Sequence, residues 1–131
     1  MALAGIRVID LTDERGIYGT KLLADLGAQV IRPEEPEGDP LRNRGPFMKR
    51  DCDRLSLWHS FFASNRTFVS VDKANLIETQ TLQHLAEAAD IICVDEQTDF
   101  IDLESAKAAN PSLVVIELSS FGKGGPWANY P

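Results

Sequence analysis

The chain has 131 residues, of which 44% are hydrophobic and 25% are charged, and its formal net charge at pH 7 is −7. This length fits one domain over residues 1–131 with a single core, and the acidic balance argues against nucleic-acid binding, which needs a basic surface. The sequence contains no run of about 18 apolar residues, so we predict no membrane span. The opening MALAGIRVID lacks the features of a signal peptide.

Short apolar runs alternate with helix-like stretches from the beginning of the chain. The β-branched run IRVIDL predicts a first strand. In YGTKLLADL, the residues Tyr18, Leu22, Leu23 and Leu26 share one face of a predicted helix, and Gly27 suits its left-handed C-cap. AQVIRP then predicts a second strand, so the unit is a right-handed crossover between parallel strands.

The segment from residue 33 to residue 54 is the least regular part of the sequence. It holds four of the seven prolines and is too long for a simple connector. Its second half is locally basic, which fits either a site for an anionic small molecule or a solvated loop. The following LSLWHSFFASN spaces Leu57, Trp58, Phe61 and Phe62 as in a helix, and such an aromatic stripe usually faces the core.

The alternation continues to the end of the sequence. TFVSVD predicts a third strand, IICV a buried fourth strand and SLVVIELS a fifth, with helices predicted in LIETQTLQHLAEAAD and FIDLESAKAAN. This order predicts an α/β fold: an open, mostly parallel, five-stranded Rossmann-like sheet with helices on both faces. Counting strands along the chain, the expected spatial order is 3-2-1-4-5.

Sequence motifs of nucleotide binding and hydrolysis are missing. There is no GxGxxG after the first strand, no phosphate-binding loop and no GxSxG. The two cysteines and two histidines lack ligand spacing, so we predict no metal site and expect reduced thiols in a cytoplasmic protein. Asp13 and Glu14 could form an acid–base pair, but capping of the next helix is the preferred interpretation.

Five motifs follow one another at compatible spacing between residues 3 and 131. They are LADLGAQVIRPE, EGDPLR, SNRTFVSVD, AADIICVDE and NPSLVVIELSSFGKGGPWANYP. Together they resemble the N-terminal part of class III CoA-transferases, the group of formyl-CoA transferase, carnitine CoA-transferase and α-methylacyl-CoA racemase.

The resemblance implies a CoA-transferase or racemase, but without its nucleophile. In that family the catalytic Asp lies beyond the Gly-Pro-Tyr segment, and no position here matches it. We therefore expect a truncated N-terminal region that has no catalytic residue and is inactive alone. The alternatives are a stand-alone small-molecule-binding or protein-interaction module on the same scaffold, and one half of a split CoA-transferase completed by a second chain.

The resemblance also implies contacts with coenzyme A at the ends of three strands. The matching positions are Asp13, Glu14, Arg15 and Gly16 after the first strand, Val71 and Lys73 after the third, and Asp95 after the fourth. The chain lacks the Arg of the family's next segment, so coenzyme A or an acyl-CoA is expected to bind weakly. The family forms interlocked dimers, which implies a homodimer here, through the aromatic helix or the last strand.

Overall fold

Seven strands and four α-helices make up the fold in a computed structural model, which describes residues 1–50, 53–96, 99–128 and 130. In chain order they are β1 (Arg7–Leu11), α1 (Ile17–Asp25), β2 (Gln29–Glu34), β3 (Phe47–Arg50), β4 (Asp53–Ser56), α2 (Leu57–Phe62), β5 (Thr67–Ser70), α3 (Leu76–Glu87), β6 (Ile91–Val94), α4 (Leu103–Ala109) and β7 (Val114–Glu117).

The main sheet has five parallel strands in the order β5-β2-β1-β6-β7. This is the predicted 3-2-1-4-5 arrangement, and the α/β fold is confirmed. Ile9 of β1 lies level with Ile31 of β2 and Ile92 of β6. The chain reverses its direction of travel across the sheet between β1 and β6, so the carboxyl ends of these two strands flank the switch point at which such sheets bind ligands.

Each face of the sheet has its own apolar cluster. On one face, Ile9, Ile92 and Val94 pack against Ala86 of α3 and Ala106 of α4. On the other face, the residues that share a cluster with α1 are Val8, Ala24, Ala28, Val30 and Cys93. Small residues on the helices let them approach the sheet closely, and β-branched side chains fill the strands.

The buried face of α1 differs from the predicted one. Tyr18, Leu22 and Leu26 are each about half exposed, whereas Ile17 and Thr20 are buried. Thr20 is buried because its hydroxyl donates to a carboxylate under the helix, a bond that apolar spacing does not reveal. The predicted C-cap is confirmed, because the residue after Leu26 is a glycine with φ of +101°.

The irregular segment folds into structure that the sequence analysis did not predict. A single 3₁₀ turn, Pro40–Asn43, leads into an antiparallel hairpin of β3 and β4, separate from the main sheet. The hairpin lies against α2.

The prediction that the aromatic stripe of α2 faces the core is wrong for two of its four residues, since Trp58 and Phe62 are partly buried but Leu57 and Phe61 are not. Phe61 and Leu57 are exposed, and His59 is the buried residue of this helix. Trp58 and Phe62 stack on each other with ring centroids 4.6 Å apart. Only one face of this short helix packs inward, and that face meets a polar cluster instead of an apolar core.

Within the part of the chain that the structure describes, no helix is both long and apolar enough to cross a membrane.

Candidate functional site: a crevice at the strand ends

A crevice of about 230 Å³ opens beyond the carboxyl ends of β1, β2 and β6. Its walls include residues 10–12 from the end of β1, Glu34 at the end of β2 and Glu35 after it, Lys73 after β5, and Asp95 after β6. This is the switch point of the sheet, where parallel strand ends leave a cleft between diverging loops. The fold therefore places its candidate ligand site at the expected edge.

The floor of the crevice is a buried carboxylate, Asp10, which is fully inaccessible to solvent. Its oxygens accept hydrogen bonds from the Thr12 hydroxyl at 2.7 Å, the Thr20 hydroxyl at 2.9 Å and Arg32 Nη1 at 3.1 Å. A second guanidinium, Arg66, also donates to Asp10. A buried charge is stable only when it is paired and hydrogen-bonded in this way, so Asp10 holds β1, α1 and β2 together.

Arg32 extends this network to the segment that follows β2. Its Nε lies 2.5 Å from Asp39 Oδ2, and its Nη1 donates to the carbonyl oxygen of Thr12 at 2.8 Å. Burial lowers the pKa of Arg32, but the charge of Asp10 and the bond to Asp39 outweigh it and raise this pKa overall. Burial likewise raises the pKa of Asp39, and the hydrogen bond from Arg32 more than reverses that, so this pKa is lowered.

His59 lies at the edge of the same cluster in its neutral form. Burial lowers the pKa of His59, and the nearby charge of Arg42 lowers it further. Its buried Nε2 lacks a hydrogen-bond partner within the described residues and lies 3.7 Å from Asp39 Oδ2, beyond hydrogen-bond distance. The imidazole packs instead against the ring of Phe68, with centroids 5.5 Å apart.

Lys73 stands at the mouth of the crevice. Its ammonium nitrogen lies 2.6 Å from Asp99 Oδ1 and 2.9 Å from Glu35 Oε1, and 4.3 Å from the ring centroid of Phe100. The hydrogen bond to Asp99, followed by that to Glu35, raises the pKa of Lys73. The predicted site residue Lys73 is therefore in the crevice, but two carboxylates already compensate its charge.

The predicted residues of the loop after β1 lie away from the crevice walls. Asp13 pairs with Arg15 at 2.9 Å, and Arg15 Nη1 donates to the Ser120 hydroxyl at 2.8 Å. Glu14 forms an ion pair with Arg44. This loop therefore contacts the segment after β7 through a hydroxyl acceptor and the turn before the hairpin through a counter-charge.

The expected helix cap in this loop is wrong. The residue before α1 is Gly16, and the helix start has no side-chain cap. Asp13 instead accepts a hydrogen bond from the backbone N–H of Arg15. Gly16 is buried against Thr12 and Leu118, where a Cβ atom would lie only 2.4–2.5 Å from them, so close packing at this position favours a glycine.

The structure places the remaining two predicted residues, Val71 and Asp95, in different cavities. Val71 is a buried strand end whose N–H donates to the carbonyl oxygen of Glu34 at 2.8 Å, and it lines a different, smaller cavity of about 110 Å³. Asp95 does line the crevice. The structure thus brings Lys73 and Asp95 together from the predicted set.

The buried cluster of Asp10, Arg32, Asp39 and Arg66 was not predicted from the sequence. One signal was available, because Arg32 interrupts the apolar run AQVIRP. A charged residue inside a buried strand is almost never found without a partner, and the partner had to come from a strand end or a neighbouring loop. Among the described residues no group of three or more metal-ligating side chains occurs.

Comparison with known proteins defines the class. The sequence model described as "CoA-transferase family III" matches residues 3–131. The chain belongs to this family.

Several family members with assigned names are similar over nearly the whole chain. Succinyl-CoA:(R)-benzylsuccinate CoA-transferase subunit BbsE of Thauera aromatica is 32% identical, with 95% of this chain and 32% of that protein aligned. Succinate–glutarate CoA-transferase of Agrobacterium fabrum is 33% identical over 98% of this chain and 34% of its own length. The chain spans about a third of the length of these relatives.

Solved structures agree with the fold. A CAIB/BAIF family protein from Brucella suis superposes with a TM-score of 0.85 at 29% identity, covering 98% of this chain and 36% of that one. Rv3272 from M. tuberculosis gives a TM-score of 0.83 at 26% identity, with 98% and 37% covered.

Proposed function

We propose that this chain is the N-terminal, CoA-binding-type region of a class III CoA-transferase and that it does not carry out acyl transfer alone. The observation that carries the proposal is the crevice at the switch point, in a chain that matches the family over residues 3–131. The ligand of this crevice would be coenzyme A or an acyl-CoA. Lys73 and Asp95 are the predicted contact residues that lie on its walls.

Two acidic residues near the strand ends, Asp10 and Asp13, are held in ways that oppose nucleophilic attack. A nucleophilic carboxylate has to reach the acyl carbon of the substrate. Asp10 is fully buried beneath two guanidinium groups, and Asp13 is paired with Arg15. No position in these 131 residues matches the family's catalytic Asp, so covalent acyl transfer would require additional chain.

Calorimetric titration with coenzyme A tests the binding half of the proposal. We expect a dissociation constant of about 0.1–1 mM, or roughly 4–5.5 kcal/mol, because the crevice is lined by more acidic than basic side chains and its ligand is anionic. Lys73→Ala should weaken binding, whereas Arg15→Ala should have a smaller effect because Arg15 is engaged outside the crevice. Lys107→Ala is the matched control, since Lys107 pairs with Glu104 on α4.

Two outcomes would contradict this half of the proposal. Absence of binding at millimolar coenzyme A would remove the assignment of the crevice. Micromolar binding abolished by Arg15→Ala would move the site to the loop after β1.

An acyl-exchange assay tests the catalytic half. The purified chain, incubated with an acyl-CoA and a labelled carboxylic acid, should give no labelled thioester above the background without protein. Exchange that disappears in Asp13→Asn or in Asp95→Asn would refute the inactive assignment.

We further propose that the chain associates with itself through the outer face of α1 and α2. Tyr18, Leu22 and Phe61 are exposed there, and Tyr18 contacts Phe62 edge to face with centroids 5.9 Å apart. Exposed apolar patches of this kind mark association surfaces. The relatives include proteins named as subunits, such as BbsE, so a second, different chain is the alternative occupant.

Light scattering at about 100 μM protein distinguishes these possibilities. A homodimer that dissociates in Phe61→Glu, but persists in the α3 control Leu76→Glu, where the replaced apolar side chain is even more exposed, supports self-association. A monomer in both would contradict it.

The proposed location is the cytoplasm. Cys93 is a buried free thiol, and burial raises its pKa to about 12, as in an unreactive cysteine of a reducing compartment. Disulfide formation by Cys93 in the native protein would contradict this assignment.

A further inference from the structure

We propose that Lys73, Glu35 and Asp99 form an internal tie across the mouth of the crevice, and that an anionic ligand must displace both carboxylates to reach Lys73. The inference rests on the proposed binding of coenzyme A at this crevice and adds a regulatory element to it. These three residues are called the Lys73 tie below.

The Lys73 tie joins the loops that follow β2, β5 and β6, and the ends of β2 and β5 are also joined by a main-chain hydrogen bond from Val71 N–H to the carbonyl oxygen of Glu34 at 2.8 Å. Glu35 follows β2, Lys73 follows β5 and Asp99 follows β6. The two contacts, 2.9 Å and 2.6 Å, hold the ammonium group between the loops, and Phe100 lies beneath it. Lys73, Asp99 and Phe100 also line an adjoining open groove. The tie therefore stands at the junction of the crevice and this groove.

The charges around the crevice explain why the tie matters for a ligand. Among its described lining residues, six side chains are acidic and two are basic. Arg32, one of the basic pair, is already bound to Asp10 and Asp39 inside the floor. A phosphate that entered would meet a negative surface, and Lys73 is the cation placed to turn towards it.

The strength of the tie sets the size of the effect. Its side chains are between one-third and two-thirds exposed, so each contact is a weak, solvent-screened ion pair. Ion pairs of this kind can break at equilibrium at modest cost. The tie thus lowers ligand affinity without closing the site permanently.

A titration with coenzyme A measures the competition directly. Asp99→Asn and Glu35→Gln should each tighten binding by about two- to five-fold, the range expected for loss of one exposed ion pair. The matched control is Glu37→Gln, which removes the same charge from an exposed position near Glu35. The change in affinity in Glu37→Gln measures the contribution of net charge, and it should be smaller than the change in either tie variant.

Three results would overturn the inference. Unchanged affinity in both tie variants, with measurable binding by the wild type, would overturn the tie and leave the proposed function intact. An equal gain of affinity in Glu37→Gln would show that the effect comes from net charge and not from the tie. Failure of every variant to bind coenzyme A would overturn the competing role together with the proposed function.

A second measurement detects the tie without any ligand and so separates the two failures. The ¹³Cε resonance of Lys73, followed through a pH titration, should report a pKa above the ordinary lysine value of about 10.4 in the wild type. Asp99→Asn should lower this pKa towards the ordinary value, and Glu37→Gln should leave it higher than Asp99→Asn does. A Lys73 pKa that is the same in wild type and Asp99→Asn would show that the tie does not form.

Discussion

Replacing Asp10 with asparagine should destabilise the fold severely while leaving its shape almost unchanged. The side chain is fully buried and accepts hydrogen bonds from two threonine hydroxyls and two guanidinium groups, those of Arg32 and Arg66. An asparagine fills the same space, but its amide NH₂ would face donors and its charge is lost. The two guanidinium groups would remain buried without their shared counter-ion.

The expected cost follows from that arrangement. Removing one partner of a buried ion pair costs about 3–5 kcal/mol, because the remaining charge is left uncompensated. Small domains have a total unfolding free energy of about 5–15 kcal/mol, so the variant would lose a large part of its stability. At about 4 °C per kcal/mol for a chain of this size, the melting temperature should fall by about 12–20 °C.

Urea unfolding followed by far-ultraviolet circular dichroism measures this cost. The slope of the transition should be unchanged and its midpoint should fall. Asp13→Asn is the matched control: Asp13 is partly exposed and paired with Arg15, so its loss should cost less than about 1 kcal/mol. A cost below about 1 kcal/mol for Asp10→Asn, or equal costs for both variants, would refute the reasoning that the buried cluster is a cooperative ionic network.

Two further predictions concern stability. Because burial lowers the pKa of His59 in the folded state, the unfolded chain binds more protons below pH 6.5. Stability should therefore be complete above pH 6.5 and fall as the pH decreases through the folded pKa. Between pH 7.5 and 5.5, the urea midpoint should fall with decreasing pH in the exposed-site control His84→Gln and should fall less in His59→Gln. Equal pH dependence of the midpoint in the two variants would contradict the role of His59. Gly16→Ala should cost about 1–3 kcal/mol from overpacking, whereas Gly19→Ala, which meets open space on α1, should stabilise by about 0.5–1 kcal/mol; a neutral Gly16→Ala in thermal melts would contradict the packing argument.

The order of the strands could be predicted from the sequence because it depends on local patterns. Alternating apolar runs and helical stretches define parallel crossovers, and crossovers of one hand permit few arrangements. The family motifs are local features as well, since they are short and stand in a fixed order along residues 3–131.

The faces of the helices could not be predicted in this way. α1 carries apolar residues on more than one side, and the side that packs inward is selected by Thr20 bonding to Asp10. In α2 the polar residue His59 is buried and the aromatic Phe61 is exposed. The spacing of apolar residues within a helix cannot reveal a polar contact that the helix makes with a residue outside it, such as the Thr20–Asp10 hydrogen bond across ten positions.

The candidate site shows the same difference between what local sequence determines and what tertiary contacts determine. The sequence by itself determined which residues stand at strand ends, and the family resemblance selected among them Lys73 and Asp95, which both line the crevice. Tertiary structure alone decided that Arg15 reaches Ser120, and that Lys73 is held by Glu35 and Asp99. The physical reason is that a long charged side chain takes whichever counter-charge folding brings within reach, and that distance is set by the packing of the strands and not by the neighbours in sequence.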